Sequence, residues 1–233
     1  MSDKDLKYRH ELKYVISSAQ VDLLKNRLTG IMEKDPHVGE NGSYNICSLY
    51  FDDYFNSCFF ENENGTDPRE KFRIRIYNHS LERISLECKR KERGKTLKTS
   101  CGLTMEQANQ LMQGKLIAGL DELKPLQRKI NYQMQTRMLH PVIVVEYERI
   151  PYIYKNGNVR VTFDTNISSS SDVTEFLSGQ LSTRPIMPIG HQLLEVKFDE
   201  YLPDFIYRSL NLGCLQQTAY SKYYLSRKYK IYK

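Results

Sequence analysis

The chain has 233 residues, enough for one large domain and a sizeable core, and its 34 basic and 28 acidic side chains leave a formal charge of +6. That mild excess indicates a preference for anionic partners and little more. Five widely spaced cysteines without a C-x-x-C pair exclude a disulfide framework or a zinc knuckle. No stretch approaches the roughly 18 apolar residues of a membrane span, and the opening MSDKDLKYRHELKY has no apolar signal region, so a cytoplasmic protein is expected.

In chain order, RHELKY (9–14) comes first, with Glu11 and Lys13 two positions apart in a segment that reads as a strand. SSAQVDLLKNRLTGIM (17–32) places Val21, Leu24 and Leu28 at helical spacing behind a serine N-cap. KFRIRIY (71–77) alternates: Phe72, Ile74 and Ile76 point one way, and Lys71, Arg73, Arg75 and Tyr77 the other. ISLECKRK sets Leu86 and Cys88 against Glu87, Lys89 and Lys91. Helical patterns follow at 104–116 and from Leu123 to Met138. In VIVVEYERI, Tyr147 and Arg149 share a face with Ile143 and Val145. NVRVTFDT opposes Val159, Val161 and Phe163 to Arg160, Thr162 and Asp164, and QLLEVKF opposes Leu194, Val196 and Phe198 to Glu195 and Lys197. PDFIYRSLNLG reads as a further helix stopped by Gly213. No repeat and no long linker divides the chain, so one domain over 1–233 is expected.

A single strand of this kind is ordinarily one wetted face of a plain antiparallel sheet. Together the five are different, because KFRIRIY sets three cations along one face only about 6–7 Å apart, where they repel. If the sheet closes with its apolar faces outward, Lys13, Arg73, Arg75, Lys89, Arg149, Arg160 and Lys197 line one wet interior. A phosphate chain suits such a cluster, since each phosphoryl unit offers several acceptors to arginine forks and lysine ammoniums. Glu11, Glu87, Asp164 and Glu195 would repel it unless a divalent ion, Mg²⁺ or Mn²⁺, stands between. The repeated Glu-x-Lys, at 11/13, 87/89 and 195/197, would then present a metal ligand and a phosphate ligand side by side. The five histidines have no metal-ligand spacing, and neither a P-loop nor a G-x-G-x-x-G motif is present.

RHELKY, SLYFDD, KFRIRIY, LECKRKERGKTLK, VVEYERIPY, VRVTFDT, LLEVKF and AYSKYY, in that order, resemble the VTC (vacuolar transporter chaperone) domain, the catalytic module of eukaryotic polyphosphate polymerase. That domain belongs to the triphosphate tunnel metalloenzymes, related to the CYTH group. Arg9 stands where the wider superfamily has the first glutamate of Glu-x-Glu-x-Lys, a departure similar to the VTC branch. The resemblance implies an α+β fold: a closed, antiparallel, eight-stranded barrel with a polar interior and helices outside. It implies that Lys13, Arg73, Arg75, Lys89, Arg149, Arg160 and Tyr147 bind ATP or another triphosphate and polyphosphate, with Arg73, Arg75, Arg149 and Glu195 catalytic. Glu195 matches the metal-binding glutamate, Ser221 and Lys222 match a Ser-Lys pair near the tunnel mouth, and either Lys95 or Lys98 matches a further lysine. Lys197 joins the phosphate-binding set on its strand position, and Glu11, Glu87 and Asp164 join Glu195 as candidate metal ligands. The SPX sensor and membrane segment of the eukaryotic proteins are absent from the sequence, so a separate membrane protein partner is one expectation. The rival readings are an inorganic triphosphatase using the same tunnel and a non-catalytic polyphosphate-binding module. RNA binding is not expected, because the tyrosine-rich tail YSKYYLSRKYKIYK reads as packing on the barrel.

Overall fold

The computed structural model describes residues 7–119 and 122–231. Among the described residues ten strands alternate irregularly with six α-helices. β1 (His10–Ser17) leads into α1 (Ser18–Leu28), then come β2 (Glu33–Lys34), β3 (Tyr44–Asp52), α2 (Ser57–Glu63), β4 (Arg69–Tyr77), β5 (Ser80–Glu92) and β6 (Lys95–Leu103). α3 (Met105–Met112), α4 (Pro125–Arg137), β7 (His140–Tyr154), β8 (Val159–Ser170), β9 (Arg184–Pro185), β10 (His191–Phe198), α5 (Asp204–Ser209) and α6 (Lys222–Ile231) complete the order. Among the described residues no helix is long and apolar enough to cross a membrane.

The helix starts follow from local chemistry. Ser17 and Gln20 form a capping box on α1, Thr104 and Gln107 another on α3, and Pro125 opens α4 at a position whose N–H has no helical partner. The helices end before the segments read from sequence do. α1 stops at Leu28, just before Gly30 with φ +84°, and α5 stops at Ser209, with Asn211 in the left-handed region where Gly213 was expected to act. Gly213 instead lies within a 3-10 turn, Leu212–Cys214.

Eight strands form one antiparallel path, β1-β10-β8-β7-β3-β4-β5-β6, with β2 and β9 appended to β7 and β8. Two-residue turns at Asn78-His79 and Arg93-Gly94, all four residues at positive φ, join β4, β5 and β6 as hairpins. The sheet is strongly curled, and its end strands meet at one bridge: Arg9 and Thr96 exchange both backbone hydrogen bonds at 2.9 Å. The expected closed ladder of eight strands is not formed. Further along the same edge of β1, Thr218 donates its N–H to the Lys13 carbonyl at 2.8 Å, so the chain after α5 occupies the place a closing strand would need.

The convex face is apolar and covered. Val21, Leu24 and Leu28 of α1 with Ile206 and Leu210 pack on Tyr14, Ile16, Val161, Phe163, Leu194 and Val196. On the other flank Leu111 of α3 and Leu126, Ile130 and Met134 of α4 cover Leu49, Phe72, Ile74, Leu86 and Val144. The concave face, expected to be polar, is polar in part, and Ile143 and Val145 share it with Tyr147 as their alternation implied. Ile46, Ile143, Val145, Ile167 and Leu193 form a third cluster, filled by Tyr223 of α6 and Phe59 of α2. Ile167 reaches this face because β8 carries a bulge between its pairings with Glu146 and Glu148, with Asn166 at φ +52°, which shifts the alternation by one.

α6 is anchored through Tyr223, whose hydroxyl donates to the buried Asp52 carboxylate. Asp52 also accepts from the backbone N–H groups of Cys58 at 2.8 Å and Phe59 at 3.3 Å, at the start of α2. Tyr223→Phe keeps the ring and removes the hydroxyl alone. Urea unfolding of this variant is expected to show a loss of about 1–3 kcal/mol, since a buried acceptor loses its donor; a loss below about 0.5 kcal/mol, the range of surface changes, would contradict the anchoring.

Candidate functional site

The charged part of the concave face is set by register. On the adjacent antiparallel strands β1 and β10, Glu11 lies opposite Lys197 and Lys13 opposite Glu195, so the two Glu-x-Lys segments face each other reversed and pair crosswise. Lys197 Nζ is 2.9 Å from Glu195 and 3.6 Å from Glu11, while Lys13 Nζ is 3.8 Å from Glu195. The third segment sits on β5, with Glu87 opposite Arg73 of β4, and Lys89 reaches across the sheet opening to Glu11 at 2.6 Å.

The arginines are held from behind by buried carboxylates. Arg149 makes a two-pronged pair with Asp164, 2.7 Å in each arm, and Arg73 holds Glu87 at 2.6 and 2.8 Å and donates to the Tyr50 hydroxyl at 2.9 Å. Arg75 donates to Ser48 at 3.1 Å and to the Tyr147 hydroxyl at 3.4 Å, with Glu87 3.6 Å away. Lys222, the first residue of α6, bridges Asp164 at 2.5 Å and Glu195 at 2.9 Å. Burial alone would raise the carboxyls of Glu87 and Glu195, but Arg73 and Arg75 hold the first, and Lys197, Lys222, Lys13 and Arg149 the second, well below the usual range. Both remain ionised.

In front of these groups lies a cavity of about 350 Å³, within the size range of small-ligand sites. Arg73, Arg75, Arg149 and Tyr147 line it, as do Lys13, Lys89 and Lys197, and on the α6 side Ser221 and Lys222. Glu11 and Glu195 are the expected metal ligands that reach its wall; Glu87 and Asp164 stand behind their arginines and do not line it. Arg160 lies elsewhere: it pairs with Asp35 and lines a second cavity toward the other end of the concave face, together with Tyr44 and Arg9. Of the two candidate lysines, Lys98 pairs with Lys89 in register and its ammonium is 3.0 Å from Glu87, whereas Lys95 pairs with Glu92 on the opposite face. Neither lines the first cavity.

Other lining residues fall outside the sequence-derived set. Lys71, two positions before Arg73 on the same face, donates to Asn62 at 2.8 Å and to Ser221 at 3.4 Å, with its ammonium 4.8 Å from the Tyr223 ring. Burial, with Arg69, Lys13 and Lys89 nearby, lowers it to about 7. Arg69, Lys91 and Tyr50 also line the cavity. The alternation in KFRIRIY already placed Lys71 on the charged face; Tyr50 gave no such signal, because SLYFDD lacks charge alternation.

The residues that could hold a divalent ion are Glu195 and Glu11, two hard carboxylates that line the cavity on either side of the Lys197 ammonium. Mg²⁺ and Mn²⁺ take one or two such ligands and leave other positions to phosphate oxygens and water. Among the described residues no three His, Cys, Asp or Glu side chains converge, so the protein alone forms no closed cage.

The fold is similar to that of a putative adenylate cyclase from Bacillus halodurans, with a TM-score of 0.52, 15% identity, and 92% of this chain and 94% of that one covered. It is also similar to a Hippeastrum protein described as a putative adenylyl cyclase with a dominant triphosphatase activity, with a TM-score of 0.57, 12% identity and 95% of each chain covered. The chain therefore shares its fold class, a curled antiparallel sheet with helices outside, with these two proteins. Within that class the VTC domain model matches residues 8–230, and the chain belongs to the VTC domain family. Among the curated proteins nothing matches.

The depressed Lys71 makes anion binding proton-linked. An anion in the cavity favours the charged lysine and raises its pKa, so binding takes up a proton above pH 7 and none well below it, where Lys71 is already charged. Calorimetry with size-fractionated polyphosphate longer than tripolyphosphate, in buffers of different ionisation enthalpy and comparing wild type with Lys71→Met, is expected to show an excess uptake of up to about one proton at pH 8 that vanishes near pH 5.5. Equal uptake by the two proteins at pH 8 would contradict this.

Proposed function

We propose that this chain is a metal-dependent phosphotransferase that moves the γ-phosphoryl group of ATP onto a polyphosphate chain. The observation that carries the reading is the set of three arginines, Arg73, Arg75 and Arg149, lining one wet cavity and fixed by Glu87 and Asp164, which do not line it. Membership in the VTC family supports the choice of phosphoryl transfer. The proposed setting is a single cytoplasmic domain over 1–233, with ATP and polyphosphate as ligands, a separate membrane protein as a further partner and no nucleic acid.

Phosphoryl transfer runs through a loose transition state, so positioning and charge neutralisation supply most of the catalysis. A terminal phosphate oxygen of the acceptor forms a bond to the γ-phosphorus, and the bond from that phosphorus to the β–γ bridging oxygen breaks. ADP leaves with the electron pair, and the acceptor is one phosphate longer. Arg73, Arg75 and Arg149 act on the equatorial oxygens of the transferring group, and they need no reorganisation because their carboxylates already hold them. Lys13, Lys89 and Lys197 take the remaining phosphate charge. Glu195 and Glu11 would hold Mg²⁺ or Mn²⁺, which supplies neutralisation and a fixed phosphate geometry when bound.

A triphosphatase is the second reading, favoured by the fold it shares with the Hippeastrum protein. There water replaces the phosphate acceptor, and the same arginines serve. Incubation of the protein with ATP and Mn²⁺ or Mg²⁺, with products resolved by size, separates the readings. Long chains are expected; orthophosphate without chains would favour the triphosphatase, and binding without turnover a non-catalytic module. Arg75→Met is expected to lower turnover by about 10²–10³-fold, the usual effect of deleting one preorganised donor. Unchanged polyphosphate synthesis by this variant would overturn the role given to Arg75.

A further inference from the structure

Most of the cavity's cations are matched by a carboxylate: Arg73 and Arg75 by Glu87, Lys89 by Glu11, Lys13 and Lys197 by Glu195, Arg149 and Lys222 by Asp164. Three at one rim are not. Among the described residues Arg69, Lys71 and Lys91 form no ion pair: Arg69 donates to the Thr66 carbonyl at 2.7 Å, Lys71 to Asn62 and Ser221, and Glu11 and Asp67 act on Lys91 only from a distance.

Register makes the imbalance sharper. Arg69 of β4 lies directly opposite Lys91 of β5, and Lys71 directly opposite Lys89. Like charges in opposed cross-strand positions destabilise a sheet. Four cations thus occupy a rectangle of about 7 by 5 Å on the cavity wall, and only Lys89 has a carboxylate against it. A plain solvated rim gains nothing from that arrangement, whereas a polyanion lying across it would relieve both repulsions.

We infer that Arg69, Lys71 and Lys91 form a second anion subsite at the cavity rim, which holds the phosphates of a linear condensed-phosphate acceptor beyond those gripped by Arg73, Arg75 and Arg149. The subsite rests on the reading of the cavity as a condensed-phosphate site and specifies where the longer ligand lies. A triphosphate fills the inner arginine site; additional phosphates of a chain extend over the β4–β5 rim. Ser221, on the α6 side, accepts from Lys71 at 3.4 Å and lines the same cavity.

The subsite is tested by chain-length dependence of binding, measured by calorimetry on the full chain without turnover. The probes are tripolyphosphate and size-fractionated polyphosphate several times longer, and the variants are Arg69→Gln/Lys91→Gln and, separately, Lys71→Met. Lys25→Gln/Arg27→Gln, on the outer helix α1, removes equal charge far from the cavity and serves as the control. The expected result is a loss of about tenfold or more in affinity for the long chain, with tripolyphosphate affinity changed less than about threefold in the Arg69/Lys91 variant. A parallel loss for both probes, no loss for either, or an equal effect of the α1 control would overturn the subsite. Failure of the transfer reading shows separately, as wild-type protein that binds long chains and makes none from ATP.

Discussion

The crosswise pairing of Glu11 with Lys197 and of Lys13 with Glu195 is the constraint on which the rest of the interior depends. Two antiparallel strands carrying the same Glu-x-Lys order present complementary charges only in one register, and a slip of two residues would set like against like. Buried charges are costly unless paired and hydrogen-bonded. Here the pairs form a continuous network: Lys197 joins Glu195 to Glu11, Glu11 holds Lys89, and Glu195 shares Lys222 and Arg149 with Asp164. The network keeps the carboxylates ionised and the cations in place before any ligand arrives.

α6 links this charged region to the apolar one. Its first residue, Lys222, enters the carboxylate pair, and the next, Tyr223, fills the hydrophobic part of the concave face and donates to Asp52. The start of α6 therefore fixes one wall of the cavity as well as the limit of its depth. The segment just before it pairs with β1 at Thr218, where a closing strand would otherwise lie. The C-terminal segment thus completes the site as well as the fold.

The alternation in KFRIRIY, ISLECKRK, NVRVTFDT and QLLEVKF was sufficient to read the charged face, because a two-residue period fixes which side chains point together. It was insufficient where the period breaks. The bulge at Asn166 turns Ile167 inward, and nothing in DTNISSS announces it. GKTLK reads as a loop, yet Arg93-Gly94 is a two-residue hairpin turn and β6 begins at Lys95, so the choice between Lys95 and Lys98 becomes a matter of strand face. Arg160 has the expected alternation but lies toward the far end of its strand, where Asp35 from another part of the chain claims it. Closure of the sheet was not legible, since it depends on which segment reaches the edge of β1 first. Neither was the assignment of Glu87 and Asp164, whose role behind the arginines depends on depth and not on face.

The central claim is that a network of preset ion pairs forms one cavity for a linear phosphate chain with its divalent ion. A crystal structure grown with tripolyphosphate and Mn²⁺, with the manganese located by its anomalous scattering, tests it most directly. The expected result is a phosphate chain within hydrogen-bond distance of Arg73, Arg75 and Arg149, with manganese on Glu195 and Glu11. Phosphate found only outside this cavity, or manganese bound away from both carboxylates, would contradict it.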